Sequence, residues 1–284
     1  MTRSEGMAFD PKALEARDPI VTNQRLTKRD VMLYALGVGA RDLQFVFEEG
    51  LQMLPTMPAV LAYPGFEWKE FNLGADWAKI LHGETSVRIH QPLPVEGDLI
   101  GYTMFGPFYD KGPAKGCVAY KTREIWTAEG GLLATVVNSS FLRGDGGCGS
   151  TAEDQPRPHP LPERAPDAVI TYNIDESQAM IYRLSGDYNP LHIDPAIARE
   201  GGFDKPILHG LATFGFAGRA VLSTLCGNDS SSIRRIDARF ASPVFPGETL
   251  ETDIWREGTR CAAYRSRIPA RDVVVLNNGY VEFN

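Results

Sequence analysis

The fold class follows from the stretch Leu208-His-Gly-Leu-Ala-Thr-Phe-Gly-Phe-Ala-Gly-Arg-Ala-Val-Leu-Ser-Thr-Leu225. From Leu211 onward, apolar residues recur near helical spacing, which predicts a helix up to Leu225. Small and apolar residues occupy most of its sides, so we expect a buried helix instead of a surface one.

Strand-like runs rich in β-branched and aromatic residues occur in both halves of the chain, separated by turn residues. These runs are Cys117 to Trp126, Leu132 to Leu142, Thr249 to Trp255, Ala262 to Ile268 and Val273 to Phe283. A helix followed by several consecutive strands, twice over, indicates an α+β fold in which an antiparallel sheet wraps around a central helix.

Three sequence motifs of the first half return in the second half in the same order, which indicates a duplicated domain. The pairs are Met32-Leu-Tyr-Ala-Leu36 with Met180-Ile-Tyr-Arg-Leu184, Leu81-His-Gly83 with Leu208-His-Gly210, and Pro94-Val-Glu-Gly97 with Pro243-Val-Phe-Pro-Gly247. We expect a short capped helix early in each half, after Thr27 and after Asp175. We also expect a helix after each Leu-His-Gly motif.

A proline-rich segment, Thr151 to Ala168, separates the halves and contains five prolines, at positions 156, 158, 160, 162 and 166. Proline fixes φ and removes an amide donor, so the segment is predicted to be an extended linker. The predicted domains are therefore an N-terminal repeat over residues 1–150, a linker over 151–168 and a C-terminal repeat over 169–284.

The composition is that of an ordinary globular protein, with 43% hydrophobic and 23% charged residues. A net charge of −7 argues against a nucleic-acid or anionic-membrane partner, although a local basic pocket for a phosphorylated group remains compatible with it. The four cysteines are scattered without a CxxC pair, which favours reduced thiols over disulfides or a zinc site. No membrane span, secretory signal or peroxisomal terminal address is recognised, so we expect a cytoplasmic protein.

Candidate chemistry concentrates in Tyr182-Arg-Leu-Ser-Gly-Asp-Tyr-Asn-Pro-Leu-His192, on a turn before the buried helix. A carboxylate and an imidazole within reach of one point can hold and activate one water molecule. The structural alternative is that Asp187 caps the turn and His192 satisfies a core hydrogen bond. Aligned on the repeated Met-x-Tyr motif, Asp187 falls opposite Gly39 and His192 opposite Gln44. This asymmetry predicts a single acid–base site, in the second half.

Gly210 opens the buried helix, where its backbone N–H has no partner within the helix and lies at the positive end of the helix dipole. Such an N–H can serve as an oxyanion donor, worth about 10²–10³ in rate. A glycine required only for helix–sheet packing is an equally good explanation of the motif alone. We interpret His209 as a structural cap.

The sequence resembles the MaoC-like (R)-specific enoyl-CoA hydratases, and in particular the type 2 hydratase module of peroxisomal multifunctional enzymes. The motifs that carry the resemblance are Tyr182 to His192, Pro206-Ile-Leu-His-Gly-Leu211, Arg239-Phe-Ala-Ser-Pro-Val-Phe-Pro-Gly-Glu-Thr-Leu250, Leu33 to Ala40, Leu54-Pro-Thr56, Leu81-His-Gly-Glu84 and Phe141 to Gly147. The resemblance extends from about residue 27 to the C-terminus. It implies a double hot-dog fold in which each repeat has a central helix.

The resemblance also implies a reaction: hydration of a trans-2-enoyl-CoA to the (3R)-3-hydroxyacyl-CoA, and its reverse, in fatty-acid β-oxidation. The implied catalytic residues are Asp187 and His192, with Asn189 supporting the water and Gly210 holding the thioester oxygen. The implied acyl-CoA contacts are His82, Gly83, Lys111, Tyr188, Pro190, Leu191 and Phe240. Neither a metal nor a separate cofactor is expected, because CoA is part of the substrate. A homodimer is expected from the resemblance alone.

Lys111, Glu48 and one long segment of the first half allow more than one interpretation. Lys111 is a cation on a glycine-containing loop, which suits a CoA phosphate, but an exposed surface lysine would look the same. Glu48 matches an acidic position of the family, and we favour a structural salt bridge or hydrogen bond for it. The long, apolar interval from residue 40 to 80 either opens a channel for an acyl tail or fills core volume.

Three other functions compete with hydration. An acyl-CoA thioesterase would share the fold and a water-activating carboxylate, so the fold alone cannot separate the two. A non-catalytic acyl- or sterol-CoA binding subunit would be expected to lack Asp187 or His192, and both are present. A dehydratase of acyl-carrier-protein substrates would be favoured by a basic docking patch, and none is recognised in the sequence.

Overall fold

The computed structural model describes residues 9–284. Residues 1–8 lie outside this range. The expectation that the N-terminal segment contains no secretory signal falls partly on these residues. The helices are α1 (Pro11–Glu15), α2 (Lys28–Gly37), α3 (Leu43–Val46), α4 (Glu67–Glu70), α5 (Gln178–Tyr182), α6 (Pro195–Glu200) and α7 (Gly210–Cys226). The strands are β1 (Ile20–Leu26), β2 (Ile80–Ile89), β3 (Gly97–Asp110), β4 (Cys117–Thr127), β5 (Leu132–Leu142), β6 (Ala168–Asn173), β7 (Ile233–Phe240), β8 (Thr249–Arg256), β9 (Cys261–Ile268) and β10 (Val273–Phe283).

All ten strands form one antiparallel sheet with the order β1-β3-β4-β5-β2-β7-β10-β9-β8-β6. The first five strands in this order come from the first half of the chain and the last five from the second half. If the second set is read from its outer edge inward, its order repeats that of the first set. This repeated strand order agrees with the duplication indicated by the sequence.

The two halves meet where β2 pairs with β7. In this register Glu84 lies opposite Arg239, Val87 opposite Ile236, and Arg88 opposite Arg235. Val87 and Ile236 are fully buried, so the core continues across the junction. The junction therefore joins the two repeats through both backbone hydrogen bonds and shared apolar packing.

Helix α7 lies in the core, as the sequence predicts, and is buried from Ala212 to Gly218. Two of its glycines allow close contact with the first half. A Cβ on Gly215 would lie 2.3 Å from Val38 Cγ1, and a Cβ on Gly218 would lie 2.4 Å from Thr56 Cγ2. The small residues of α7 are thus required by the elements that surround it.

The prediction of a helix after the first Leu-His-Gly motif is wrong. Leu81 to Gly83 lie inside β2, and the residues that follow continue the strand with Thr85, Val87 and Ile89 buried. The sequence Glu-Thr-Ser-Val-Arg-Ile alternates polar and apolar residues, a strand pattern that overrides the local similarity to Leu208-His-Gly210. The segment from residue 53 to 62, which includes a 3₁₀ turn at Met57–Val60, contributes buried side chains to the core instead.

The two predicted caps have different outcomes. Thr27 and Asp30 form a full capping box at the start of α2. Asp175 accepts the backbone N–H of Ser177 at 2.8 Å, but α5 begins only at Gln178. The Gln178 side chain does not turn back to close a box; it donates to the carbonyl oxygens of Leu36 and Gly37 at 2.8 and 2.6 Å. It thereby fastens α5 to the end of α2.

The proline-rich segment is extended up to the start of β6 and is fixed to the sheet at several points. Thr151 Oγ1 accepts the N–H of Phe108 at 2.9 Å. Asn278 donates to the carbonyl oxygen of His159 at 2.8 Å, and the indole N–H of Trp255 donates to the carbonyl oxygen of Arg164 at 2.8 Å. Among residues 9–284, no helix is both long and apolar enough to cross a bilayer.

Candidate active site

The loop that follows α5 is shaped by one glycine and two short-range hydrogen bonds. Gly186 ends the 3₁₀ turn after α5 with φ of +120°, a conformation that favours glycine. Asp187 Oδ1 then accepts the N–H of Asn189 at 3.1 Å, and Asn189 Oδ1 accepts the N–H of Leu191 at 3.1 Å. These bonds lead into the 3₁₀ turn Pro190–His192 and fix the direction of the loop.

This loop and the start of α7 bring three polar side chains together. One ligand-type atom of each of Asp187, His192 and His209 lies within 4.8 Å of the others. Both imidazoles are buried, at 8% and 1% exposed, whereas Asp187 is partly open to solvent. The predicted acid–imidazole pair is therefore close enough in space to hold a single small molecule.

The hydrogen bonding of His192 defines which ring nitrogen is available. Its Nδ1 lies 2.9 Å from the carbonyl oxygen of Ile207, which can only accept, so Nδ1 carries the proton. Nε2 is then an acceptor. Burial lowers the pKa of His192, against smaller raising effects from Asp187 and from the bond to Ile207. The imidazole is therefore neutral near pH 7 and can accept a proton at Nε2.

The interpretation of His209 as a cap is wrong, because its side chain makes no capping hydrogen bond to α7. Its Nε2 instead lies 3.1 Å from the carbonyl oxygen of Asp187, and its ring stacks on that of His192 with centroids 3.7 Å apart. The ring of Tyr182 packs on it as well, at 4.9 Å. His209 thus fixes the Asp187 backbone and the His192 ring, while burial holds its own pKa well below the ordinary value.

The convergence of Asp187, His192 and His209 raises the question of a metal ion, which the sequence did not predict. Tetrahedral coordination requires nitrogen lone pairs that converge on one point. The two imidazole planes differ by only 28° and are stacked with centroids 3.7 Å apart, so their in-plane lone pairs lie in two separate, nearly parallel planes. This arrangement fits acid–base chemistry better than it fits a metal.

The start of α7 lies against the end of β7. Gly210 is exposed, and a Cβ at this position would lie 3.1 Å from a ring carbon of Phe240. The next helical amides, those of Ala212 and Thr213, donate to the carbonyl oxygen of His209. As the first residue of the helix, Gly210 has an N–H that this ladder does not use. Its exposed backbone is accessible to an oxygen atom of a ligand.

His82 and Gly83, from the first half, complete this side of the site. The His82 ring lies 4.5 Å from that of Phe240, and its Nε2 lies 3.2 Å from Asn138 Oδ1 and 3.1 Å from the carbonyl oxygen of Glu84. The protein that surrounds His82 lowers its pKa by desolvation, although part of the residue is open to solvent. Gly83 occupies an irregularity in the β2–β5 pairing, where a Cβ would lie 2.7 Å from Ser139 Oγ.

The remaining predicted contact residues lie at different distances from this centre. Tyr188, Pro190 and Leu191 belong to the loop that follows α5; Tyr188 is 58% exposed, with the Arg183 guanidinium 5.0 Å from its ring centre. Lys111 is not close to Asp187. It is exposed in the β3–β4 turn, and three strand spacings, about 14 Å, separate that end of β3 from β2. Only a long ligand could contact both.

Glu48 does not have the structural bond that the sequence analysis favoured. It is exposed, and it has neither an ion pair nor a hydrogen bond with another residue of the range 9–284. Two further residues of the site were not predicted correctly: His209 was given the role of a cap, and Asn138 was not recognised. His209 directly precedes the predicted oxyanion glycine, which was a usable signal, whereas Asn138 lies in a strand with no motif around it.

Comparison with known protein families identifies both halves of the chain. Residues 25–144 match the family described as the MFE-2 hydratase 2 N-terminal domain. Residues 158–276 match the family described as the MaoC like domain.

Individual relatives match over nearly the whole chain. The 3-hydroxyacyl-thioester dehydratase Y of Mycobacterium tuberculosis is 42% identical, over 98% of this chain and 99% of its own length. The peroxisomal enoyl-CoA hydratase 2 of Arabidopsis thaliana is 36% identical, over 96% of this chain and 95% of its own. Among solved structures, a MaoC-like dehydratase from Phytophthora capsici superimposes with a TM-score of 0.89 at 36% identity, covering 96% of this chain and 98% of that one.

Proposed function

Because the chain belongs to the family of MaoC-like dehydratases and type 2 enoyl-CoA hydratases, with their double hot-dog fold, we propose that it hydrates trans-2-enoyl-CoA to (3R)-3-hydroxyacyl-CoA and catalyses the reverse dehydration. The observation that carries the proposal is the convergence of Asp187 and His192 next to the free amide of Gly210. The names of the relatives support a thioester substrate.

Asp187 and His192 would bind one water molecule between them. Neutral His192 accepts a proton from that water at Nε2, while the Asp187 carboxylate orients the second O–H and stabilises the imidazolium that forms. The oxygen adds to C3 of the substrate, and the proton returns to C2. Both residues also have structural bonds, to Asn189 and Ile207, and these bonds use other atoms than those the reaction requires.

The thioester carbonyl takes up negative charge as the oxygen adds to C3. An N–H donor at the start of α7 stabilises that charge more in the transition state than in the bound substrate, which is the condition for catalysis. The exposed amide of Gly210 has this position. Phe240 and His82 would then flank the thioester, and the CoA moiety would run along the end of the sheet toward Lys111.

Direct observation of the reaction tests the proposal. Crotonyl-CoA and trans-2-decenoyl-CoA should each lose the absorbance of the enoyl thioester on addition of enzyme, and chiral chromatography should give the (3R) alcohol. Loss of absorbance with formation of the (3S) product would refute the stereochemistry alone. No loss of absorbance with either substrate would refute hydration.

A thioesterase is the alternative that shares most of these features, because a water held by Asp187 could also attack C1. Release of free CoA, measured with a thiol reagent, separates the two reactions. We expect no thiol release during complete hydration of crotonyl-CoA. Stoichiometric release would replace the hydratase with a thioesterase.

Two broader properties are proposed as well: a homodimer, on family grounds, and the cytoplasmic location that the sequence leads us to expect. The second is not a family property, because the Arabidopsis thaliana relative is named peroxisomal. Light scattering after gel filtration should give twice the 31.3 kDa mass of the chain. Fractionation of the source cells should recover the activity with the cytosol, and recovery in peroxisomes or another organelle would refute the location.

A further inference from the structure

A group of buried polar side chains lies in the first half of the chain, on the inner face of β3 and β4 and against the segment that precedes β2. Arg123 and Glu67 are 1% and 0% exposed, and Lys121 is 9% exposed. Lys121 is ion-paired with Glu67, and Arg123 donates to the carbonyl oxygens of Ala59 and Pro58 at 2.6 and 3.3 Å. The Tyr63 ring lies 5.6 Å from the Lys121 ammonium and 5.3 Å from the Arg123 guanidinium. Thr103 lies opposite Arg123, and the Trp68 ring packs on Phe105, which lies opposite Lys121. We call this group, together with Thr103 and Trp68, the distal cluster.

The distal cluster contains more hydrogen-bond donors than the protein uses. The indole N–H of Trp68, the hydroxyl of Thr103 and the Nε–H of Arg123 are buried and have no partner among the described residues. Thr103 and Arg123 are direct cross-strand neighbours, so two of these donors are adjacent. The one unpartnered acceptor, Glu67 Oε2, belongs to a carboxylate that Lys121 already neutralises. A buried donor without a partner costs about 1–3 kcal/mol, so several in one place favour a ligand that supplies acceptors.

The charges of the distal cluster also favour a ligand that supplies hydrogen-bond acceptors. Two basic side chains face one acidic side chain, and a buried charge is normally paired. Burial and then the neighbouring Arg123 lower the pKa of Lys121 to about 7, and burial lowers the pKa of Arg123 to about 10. When Lys121 is protonated, the side chains of the distal cluster therefore carry one net positive charge, which an anionic ligand would neutralise.

The distal cluster is connected to the candidate active site through a row of buried residues across the sheet. Lys121 lies opposite Asn138 on β5, and Asn138 lies opposite Thr85 on β2. The Asn138 side chain also contacts His82, at 3.2 Å. Two strand spacings, about 10 Å, therefore separate β2 from Lys121. Tyr63, a member of the distal cluster, is also close enough to Asp187 for that carboxylate to add to the effect of burial in raising the pKa of Tyr63.

We propose that the distal cluster is a subsite for an oxygen-bearing, preferably carboxylate, end of the acyl chain, so that the preferred substrate is a medium-chain enoyl-CoA with a polar group far from the thioester. This inference rests on the proposed function, because it assumes that the acyl group enters from the site at Asp187 and His192. The acceptor oxygens of such a group would pair with the free donors of Thr103, Trp68 and Arg123. A plain alkyl end would leave these donors without partners.

Binding of non-reactive thioesters tests the subsite independently of catalysis. Isothermal titration would compare decanoyl-CoA with the mono-CoA thioester of decanedioic acid, which differs only in its terminal carboxylate. We expect the carboxylate ligand to bind at least tenfold more tightly. Equal affinity, or tighter binding of decanoyl-CoA, would overturn the inference.

Two substitutions remove single donors from the distal cluster. Thr103→Val deletes a hydroxyl without changing the size of the side chain. Trp68→Phe deletes the indole N–H together with part of a buried ring that packs on Phe9 and Phe105, so Thr103→Val is the cleaner of the two tests. Each should reduce the preference for the carboxylate ligand about tenfold, since hydrogen bonds to charged groups are of that strength, and leave decanoyl-CoA binding nearly unchanged. Thr122→Val is the matched control, because Thr122 lies between Lys121 and Arg123 on β4, where side chains alternate between the two faces of the sheet.

Two further measurements distinguish loss of the subsite from loss of folding and from loss of the hydration reaction. Thr103→Val should melt at or above the wild-type temperature, because it removes a buried hydroxyl that has no partner. If the ratio of the two affinities stays unchanged in both variants, or falls equally in Thr122→Val, the subsite is refuted. A tight, Thr103-dependent preference in a protein that fails to hydrate crotonyl-CoA would refute the proposed function and leave the subsite intact.

Discussion

Replacing Asp187 with Asn should abolish most of the activity and leave the fold unchanged. Asp187 has one side-chain hydrogen bond, from the N–H of Asn189 at 3.1 Å, and an amide oxygen can accept the same bond. The loop should therefore keep its shape, and what is lost is the negative charge that faces the water and the imidazole. Loss of one acid–base group typically lowers kcat by about 10²–10⁴, or about 3–5 kcal/mol of transition-state stabilisation.

The assay for Asp187→Asn is steady-state hydration of crotonyl-CoA, with thermal unfolding measured on the same preparation. Asp194→Asn is the matched control: Asp194 lies seven positions further along the same loop, and its carboxylate caps α6 by accepting the N–H of Ala196 at 2.8 Å. Asn caps helices about as well as Asp, so this variant should keep wild-type turnover. A kcat for Asp187→Asn within tenfold of wild type, at an unchanged melting temperature, would refute the acid–base role. Equal losses in both variants would refute it as well.

Three further predictions follow from other contacts. His192 acts as a neutral acceptor, and its pKa is lowered from 6.5. We therefore expect kcat/KM to stay level between about pH 7 and 8 and to fall only below pH 6.5, where protonation removes the acceptor. A decline that begins above pH 7 would contradict this role. Gly215→Ala places a Cβ 2.3 Å from Val38 Cγ1 and should lower the free energy of unfolding in urea by about 1–3 kcal/mol. Adding Val38→Ala should recover part of this loss. Strict additivity of the two changes would argue against the contact. Lys111→Ala should raise KM for crotonyl-CoA a few-fold, and the increase should be larger at low salt. KM for crotonyl-pantetheine should stay unchanged. Equal effects on both substrates would exclude a phosphate contact.

The segments whose local signals agree could be predicted well, whereas the strands β6 and β7 of the second half were not predicted. The strand Val273 to Phe283 has the bounds that the sequence indicates, and α7 is buried as its small residues require. In the first half, the prediction of a helix after Leu81-His-Gly83 is wrong because two local signals disagree. Leu81-His-Gly83 copies the motif before α7, but the residues after it alternate as a strand does, and the alternation determines the structure.

The candidate site was predictable to the extent that its residues share one loop. Asp187 and His192 are five positions apart, so a turn suffices to bring them together. The bond from His209 to the Asp187 carbonyl oxygen depends on how α7 is placed in the core, which no local pattern encodes. The distal cluster could not be expected either, because Lys121 and Arg123 are charged residues at inward positions of a strand, against the usual rule for a buried face.

The pairing of β2 with β7 makes the ancestral gene duplication hard to undo. A polypeptide that stopped after the first repeat would leave the backbone N–H and C=O groups of Glu84 to Arg88 unpaired at an exposed sheet edge. A polypeptide that began at the second repeat would likewise expose the edge of β7 around Ile236. Such open margins recruit other chains and lead to aggregation. Splitting this protein into two separately expressed pieces should therefore yield insoluble material unless both pieces are synthesised together, in the same cell, and find each other before they self-associate.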